Sequence, residues 1–204
     1  ILFCVNKSVV YNEDYGAGIC NINTNLVYGC GNEGMVYGGT AAGIVYQNWG
    51  DVATVDSCWN KGVIMGSGFS SSGIVADNYG WMSDCYNSGY IAGNYEVNSA
   101  KTVTGILGND CSPSNRNRKV LSNCYNYGKL RISKDNWYAS DTIGGGKSAS
   151  NCYSITSKYI NDNTTAVSKA DLSNDSMITR LQGNNFVTKW CKDTVSYTHL
   201  TLPT

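Results

Sequence analysis

Short apolar runs recur along this chain at a nearly constant spacing, and turn-forming asparagine or glycine follows each of them. The clearest run is built on a cysteine, as in Cys85-Tyr86-Asn87-Ser88-Gly89. Further copies of this Cys motif begin at Cys4, Cys30, Cys58, Cys124 and Cys152. Successive motif cysteines lie 26, 28, 27, 39 and 28 residues apart. A fixed period in this range indicates a repeat architecture.

Two further apolar runs accompany the Cys motif in each repeat. One opens with glycine and isoleucine, as in Gly43-Ile44-Val45, and has asparagine or aspartate four residues after the isoleucine. The other comes just after the Cys motif, as in Val63-Ile64-Met65. β-Branched and aromatic residues dominate these runs, and helical periodicity is absent. The pattern therefore predicts three short strands per repeat, separated by glycine and asparagine corners.

A repeat of this length cannot bury its own apolar face, but stacked copies can. The sequence therefore predicts an all-β fold, a right-handed parallel β-solenoid (β-helix) of about five to six coils spaced about 4.8 Å apart. Residues 1–158 are assigned to the solenoid and 159–194 to a small C-terminal cap or linker with a short helix at Met177–Leu181. We expect this cap to cover the open end of the stack. Residues 195–204 continue no repeat and are expected to be a translated sequencing-adaptor artefact.

Alternation along a strand assigns side chains to its two faces. In the run after the Cys motif, the middle residues should face the core: Val10, Val36, Ile64, Ile91 and Leu130. Their neighbours should face outwards, among them Tyr11, Tyr37 and Met65. In the Cys motif we expect the cysteine to point inwards. The residue after it should then point outwards, which aligns Gly31, Trp59, Tyr86, Tyr125 and Tyr153 in one outer column.

Composition argues against several classes of function. The chain carries 15 Lys and Arg against 15 Asp and Glu, and this balance disfavours a nucleic-acid surface. No apolar run is long enough to span a bilayer, so no membrane insertion is expected. His199, in the expected artefact, is the only histidine, so neither a Ser-His nor a Cys-His nucleophile pair is available. The carboxylates are scattered, and we expect no catalytic residues, no cofactor and no enzyme activity.

The nine cysteines leave three possibilities open. Six of them share one column of the repeat, where stacked, parallel side chains are poorly oriented for disulfides. A reduced thiol column is the favoured interpretation, because buried free cysteine behaves as a small apolar residue. A single disulfide and a metal site are the alternatives. Zinc is disfavoured because the repeats contain neither Cys-x-x-Cys nor histidine. Cys111, in a polar insertion, is expected to react faster than the inward-facing Cys30, Cys58, Cys85 and Cys124.

The paired signatures, Gly-Ile-Val with a following Asn-x-Gly and Cys-Tyr-Asn-x-Gly, resemble the GLUG-motif repeats of bacterial surface proteins. Such repeats also occur in non-catalytic regions of immunoglobulin A-specific metallopeptidases. The resemblance covers Cys4–Ile155 and departs from the motif at Ser8, Ser154 and Ile143. It implies a secreted or wall-attached bacterial protein used in adhesion or as a structural stalk. A further alternative is an accessory region of a metallopeptidase whose catalytic domain lies outside this chain. The resemblance brings no catalytic residues.

The outward aromatic and apolar side chains are the candidate ligand-binding residues: Tyr11, Tyr37, Met65, Trp59, Tyr86, Tyr125 and Tyr153. Aromatic faces suit sugar rings or a protein surface, so the expected partner of a monomeric chain is a host glycan or protein. The alternative is that stacked rings only stabilise adjacent coils, at about 0.2–1 kcal/mol per pair. The polar insertion 109–119, with Arg116 and Arg118, is the second candidate site.

Overall fold

The chain winds into a parallel β-solenoid, and each complete turn passes through four parallel sheets. The computed structural model describes residues 1–93, 102–111, 121–131, 143–144, 149–155, 164–172, 174–182, 190–192 and 200–201. The predicted all-β parallel solenoid is confirmed.

The strands are short and follow one another in the same order in every turn. The first turn contains β1 (Val5–Asn6), β2 (Val9–Tyr11), β3 (Tyr15–Ala17), β4 (Cys20–Asn23) and β5 (Leu26–Tyr28). The second contains β6 (Gly31–Asn32), β7 (Met35–Ala42), β8 (Val45–Asn48) and β9 (Thr54–Asp56). The third contains β10 (Trp59–Asn60), β11 (Val63–Ser72), β12 (Val75–Asn78) and β13 (Trp81–Ser83). The fourth contains β14 (Tyr86–Asn87), β15 (Tyr90–Gly93), β16 (Thr102–Thr104), β17 (Leu107–Asp110) and β18 (Leu121–Ser122). After these come β19 (Tyr125–Asn126), β20 (Lys129–Arg131), β21 (Ala149–Ser150), β22 (Cys152–Ser154) and β23 (Thr164–Ala166).

Equivalent strands of successive turns pair in parallel. The Cys-motif sheet has the order β1-β6-β10-β14-β19-β22-β23. The sheet built from the runs after the Cys motif, called here the core-run sheet, has the order β2-β7-β11-β15-β20. In this sheet β3 pairs with the C-terminal part of β7, and β16 pairs with the C-terminal part of β11. The Gly-Ile sheet has the order β17-β12-β8-β4, and the fourth sheet has the order β21-β18-β13-β9-β5. Register is kept from turn to turn, so each side chain lies beside its repeat equivalent: Trp59 beside Tyr86, and Tyr86 beside Tyr125.

The solenoid has about four turns rather than the expected five to six coils. The expectation counted every copy of the Cys motif as a coil. Within the described residues, the Gly-Ile sheet has four strands, one for each complete turn, whereas the Cys-motif sheet has seven. The later copies add described strands to the other three sheets, and Ile143 continues the Gly-Ile column by accepting from the Ile106 and Leu107 amides.

Each turn has a fourth strand that the sequence pattern did not predict. The fourth sheet is built from strands of two or three residues, such as β9 and β13. Only one residue of each strand enters the core, as Val55 and Met82 do. A single apolar residue between polar neighbours is too weak a pattern to stand out from a loop.

The core columns follow the predicted alternation. Val36, Ile64 and Ile91 are fully buried, and Val10 and Leu130 at the ends of the same column pack against them. Their outward neighbours are exposed or partly exposed, except Ala92, which is 3% exposed. A second cluster joins the isoleucines of the Gly-Ile sheet to the motif cysteines and the buried residues of the fourth sheet.

The residue before each motif cysteine turns the corner into the Cys-motif sheet. It has positive φ in every described copy, namely Phe3, Gly29, Ser57, Asp84, Asn123 and Asn151. Glycine, asparagine and aspartate tolerate this left-handed conformation best, which explains most of the column. The glycine of the Gly-Ile pair has a different role, because a Cβ on Gly73 would lie 1.9 Å from the carbonyl oxygen of Gly105 in the next turn.

Two short helices follow the solenoid, α1 (Lys169–Leu172) and α2 (Asp175–Gln182). Ser168 caps α1 reciprocally: its hydroxyl accepts from the Asp171 amide at 3.1 Å, and the Asp171 carboxylate accepts from the Ser168 amide at 2.7 Å. The predicted short helix is confirmed, and the Asn174 side chain caps α2 by accepting from the Ser176 amide.

The expected artefact does contact the rest of the chain. β24 (Cys191–Lys192) pairs with β25 (Leu200–Thr201) in an antiparallel two-stranded ladder. Two residues on each side form a ladder of marginal stability. The assignment of 195–204 as an artefact stays a prediction.

Candidate functional site

The motif cysteines line the inside of the solenoid as free thiols. Cys30, Cys58, Cys85, Cys124 and Cys152 are buried, Cys4 at the first turn is exposed, and all eight cysteines with described side chains are unpaired. The thiols of Cys58 and Cys85 donate to the carbonyl oxygens two residues earlier, at 3.2 and 3.1 Å. Burial raises the pKa of the Cys58, Cys85 and Cys124 thiols well above their usual value. These thiols therefore stay protonated at neutral pH, as core side chains.

Two ladders of asparagine amides also lie inside the solenoid. In the Cys-motif sheet, Asn32 donates to Asn60 at 2.8 Å and Asn60 donates to Asn87 at 2.7 Å. Asn23, Asn48 and Asn78 repeat this arrangement in the Gly-Ile sheet. In each ladder the side-chain amide of one turn donates to the side-chain oxygen of the next turn, so these buried polar atoms have hydrogen-bond partners. The first ladder ends where Ser154 replaces asparagine, and the Asn126 amide nitrogen is left buried without a hydrogen-bond partner among the described residues.

One of the two predicted aromatic columns is covered. Tyr86, Tyr125 and Tyr153 lie on the outer face of the Cys-motif sheet, but they are only 3%, 1% and 8% exposed. The expectation that they face solvent is therefore wrong. Val167, Leu172, Met177, Leu181 and Trp190 pack over them in one apolar cluster. The described residues of the C-terminal segment (164–172, 174–182 and 190) thus lie along the side of the solenoid, and β23 also extends its end.

Trp190 holds this segment against the solenoid. Its indole ring lies 5.4 Å from the Tyr125 ring and 6.3 Å from the Tyr86 ring, and its N–H donates to the Asp84 carboxylate at 3.1 Å. A buried indole with its N–H satisfied is a strong anchor. Trp59, the fourth member of the column, is partly buried because its indole ring lies over Gly31 of the preceding turn.

The other predicted column is open to solvent. Tyr11, Tyr37 and Met65 are direct partners on adjacent strands of the core-run sheet. The Tyr11 and Tyr37 rings stack with centroids 5.2 Å apart and 3° between their planes. Tyr11 is 66% exposed and Met65 is 36% exposed. The structure therefore brings these three side chains together as one exposed face, called here the aromatic ladder.

The polar insertion begins later than predicted. Asn109 and Asp110 belong to β17 and pair with β12, and Cys111 is partly buried next to this strand. Burial, and then the Asp77 carboxylate, raise the pKa of the Cys111 thiol. We therefore expect Cys111 to react more slowly than the exposed Cys4. Arg116 and Arg118 lie outside the described residues, so their candidate role stays a prediction.

Sequence reasoning missed two pairs of aromatic rings beside the Gly-Ile sheet. Tyr15 stacks on Tyr46 with centroids 4.4 Å apart, and Trp49 packs against Tyr79 at the same distance. Tyr46 and Gln47 are both partly exposed, so burial does not alternate along β8. A signal was present in the aromatic residues at equivalent positions of two repeats, Asn48-Trp49-Gly50 and Asn78-Tyr79-Gly80.

Within the part of the chain that the structure describes, there is no group of three or more His, Cys, Asp or Glu placed to hold a metal ion. The helices in the same ranges are too short and polar to cross a bilayer. No protein-family model, curated protein or solved structure matches the chain.

Proposed function

We propose that this chain is a non-catalytic repeat module of a bacterial cell-surface or secreted protein, and that it binds host glycans or matrix proteins. The observation that carries the proposal is the aromatic ladder, in which Tyr11, Tyr37 and Met65 lie in register on the outside of the solenoid. The resemblance to GLUG-motif repeats supports the extracellular or wall-attached location and adhesion.

The ladder suits binding because its side chains are ordered before a ligand arrives. Parallel stacking restrains the Tyr11 and Tyr37 rings, and the paired strands beneath them fix the spacing between turns. Little side-chain freedom is then lost on binding. Tyrosine also combines a large apolar face with a hydroxyl group, which suits both sugar rings and protein surfaces.

A spacer is the second candidate function. It is favoured by the asparagine ladders, because Asn23, Asn48 and Asn78 link three turns through buried amide hydrogen bonds of 2.7–2.8 Å. Such ladders would keep a stalk stiff whether or not its surface bound anything. A spacer has no specific ligand.

The experiment is a binding array of host glycans and matrix proteins probed with the intact chain. The test variant carries Tyr11→Ser, Tyr37→Ser and Met65→Ser together, and the control is Val52→Ser, which changes a side chain that is 75% exposed on another part of the surface. We expect the triple variant to bind at least about tenfold more weakly and the control to bind normally. An intact, folded chain that binds nothing on the array would contradict the proposal and favour the spacer.

A further inference from the structure

A row of polar side chains runs along the outside of the Gly-Ile sheet. Gln47, Asp77 and Asn109 are direct partners on β8, β12 and β17. Asn109 donates to one oxygen of the Asp77 carboxylate at 2.8 Å, and Gln47 donates to the other at 3.5 Å. This row, called here the polar row, is parallel to the solenoid axis.

Aromatic rings lie on both sides of the polar row. Tyr46, next to Gln47, stacks on Tyr15, and Trp49 packs against Tyr79 beyond the other side. Tyr46 and Trp49 are three positions apart in the sequence, which corresponds to about 10 Å in an extended strand. Trp49 is 50% exposed and Tyr15 is 46% exposed. The result is a shallow strip with an apolar ring pair at each edge and hydrogen-bonding groups between them.

The polar row is unlike the asparagine ladders that hold the turns together. The buried ladder of Asn23, Asn48 and Asn78 uses one residue type with amide contacts of 2.7–2.8 Å. The polar row mixes an amide, a carboxylate and a second amide, faces outwards, and is looser at Gln47. The inner ladder already joins β8 to β12, so the contact between Gln47 and Asp77 is not needed to stack those two strands.

The row keeps hydrogen-bonding capacity for a ligand. From the residues that the structure describes, Asp77 accepts two hydrogen bonds, from Gln47 and Asn109, of about four that a carboxylate can take. Burial, then the Asp77 carboxylate, raise the pKa of the Tyr46 hydroxyl. Burial, then Cys111 and Asp77, raise the pKa of the Tyr79 hydroxyl. Both hydroxyls are therefore protonated donors at neutral pH, close to a carboxylate acceptor.

The charge of the described strands of this sheet favours a neutral ligand. The strands β4, β8, β12 and β17 carry Asp77 and Asp110 but neither lysine nor arginine. Carboxylates repel sulfated or carboxylated sugars. A neutral sugar offers hydroxyl groups for the polar row and apolar C–H faces for the rings, and it needs no positive charge.

We propose that the polar row and its flanking ring pairs form a binding site for a neutral oligosaccharide chain. Trp49 and Tyr46 contact the apolar faces of the sugar, and Asp77 and Asn109 bind its hydroxyl groups. This site lies on a different sheet from the aromatic ladder, so it does not depend on the function proposed for that ladder.

The test follows the indole signals of the intact chain by NMR after labelling its five tryptophans with ¹⁵N. The probes are neutral hexasaccharides of glucose, mannose and N-acetylglucosamine, and a sulfated hexasaccharide for comparison. We expect one of the neutral probes to shift the Trp49 signal while the Trp190 signal stays in place, and the sulfated probe to shift neither. Raising the salt concentration should leave the neutral binding unchanged.

Variants then assign the site. Asp77→Ala should weaken binding of the neutral probe at least about tenfold, and Tyr11→Ser on the aromatic ladder should leave it unchanged. An unperturbed Trp190 signal verifies that each variant is folded. The proposal is overturned if no neutral probe shifts Trp49, if only the sulfated probe does, or if Asp77→Ala binds as well as the parent chain. Loss of binding in Tyr11→Ser alone would place the glycan on the aromatic ladder instead.

Discussion

Replacing Ile64 by aspartate is expected to unfold the central turns at neutral pH. Ile64 is fully buried between Val36 and Ile91, its partners on the adjacent strands. Loss of a buried isoleucine side chain costs about 2–5 kcal/mol, and an unpaired buried carboxylate adds to this. We therefore expect a loss of at least about 4 kcal/mol, measured by thermal or urea unfolding followed by circular dichroism.

The matched control is Val63→Asp, one residue away and partly exposed on the opposite face of the strand. It should cost less than about 1 kcal/mol. The Ile64→Asp variant should also recover stability towards about pH 4, because burial raises the pKa of the new carboxyl above its unfolded value of about 3.9. Similar unfolding curves for the two variants would show that the inward and outward faces are assigned wrongly.

Alkaline pH is expected to unfold the solenoid steeply. Burial raises the pKa of the Cys58, Cys85 and Cys124 thiols. Below about pH 8.5, the usual thiol pKa, both the folded and the unfolded chain keep these protons. Above it only the folded chain keeps them, so stability falls as pH rises. Each thiol contributes about 1.4 kcal/mol per pH unit, and the three together contribute about 4 kcal/mol per pH unit.

The measurement is the free energy of unfolding at several values between about pH 7 and pH 10, with reductant present. Cys85→Ala should reduce the slope of the unfolding free energy against pH by the contribution of one thiol, about 1.4 kcal/mol per pH unit. Cys4→Ala, which removes an exposed thiol, is the matched control. A flat profile over this range would contradict the buried thiol column, as would a disulfide between Cys58 and Cys85 found by mass spectrometry of the native chain.

The inner columns of the fold could be predicted because they repeat. Ile64 and Cys58 each have an equivalent apolar or cysteine residue in the neighbouring turns, so the repeat period and the strand alternation were enough to place them inside. The fourth sheet was missed because its strands place a single apolar residue, such as Val55, in the core. Nothing in so short a pattern distinguishes a strand from a loop.

The outer surface was harder to predict. Alternation placed Tyr125 correctly on the outer face of its sheet, but it carries no information about what packs over that face. The covering residues, such as Met177 and Trp190, lie beyond the last repeat and follow no repeat register. The strip around Asp77 was missed for a second reason, since Tyr46 and Gln47 are both partly exposed, whereas strict alternation would bury one of them.

The central claim is that only one of the two aromatic columns is available to a ligand. Hydroxyl-radical footprinting of the free chain, with oxidation of each tyrosine measured by mass spectrometry, tests it directly. Tyr11 is 66% exposed and Tyr125 is 1% exposed, so comparison of these tyrosines removes differences in intrinsic reactivity. We predict rapid oxidation of Tyr11 and protection of Tyr125 and Tyr153 under the C-terminal segment. Equal oxidation of Tyr11 and Tyr125 in the folded chain would contradict the claim.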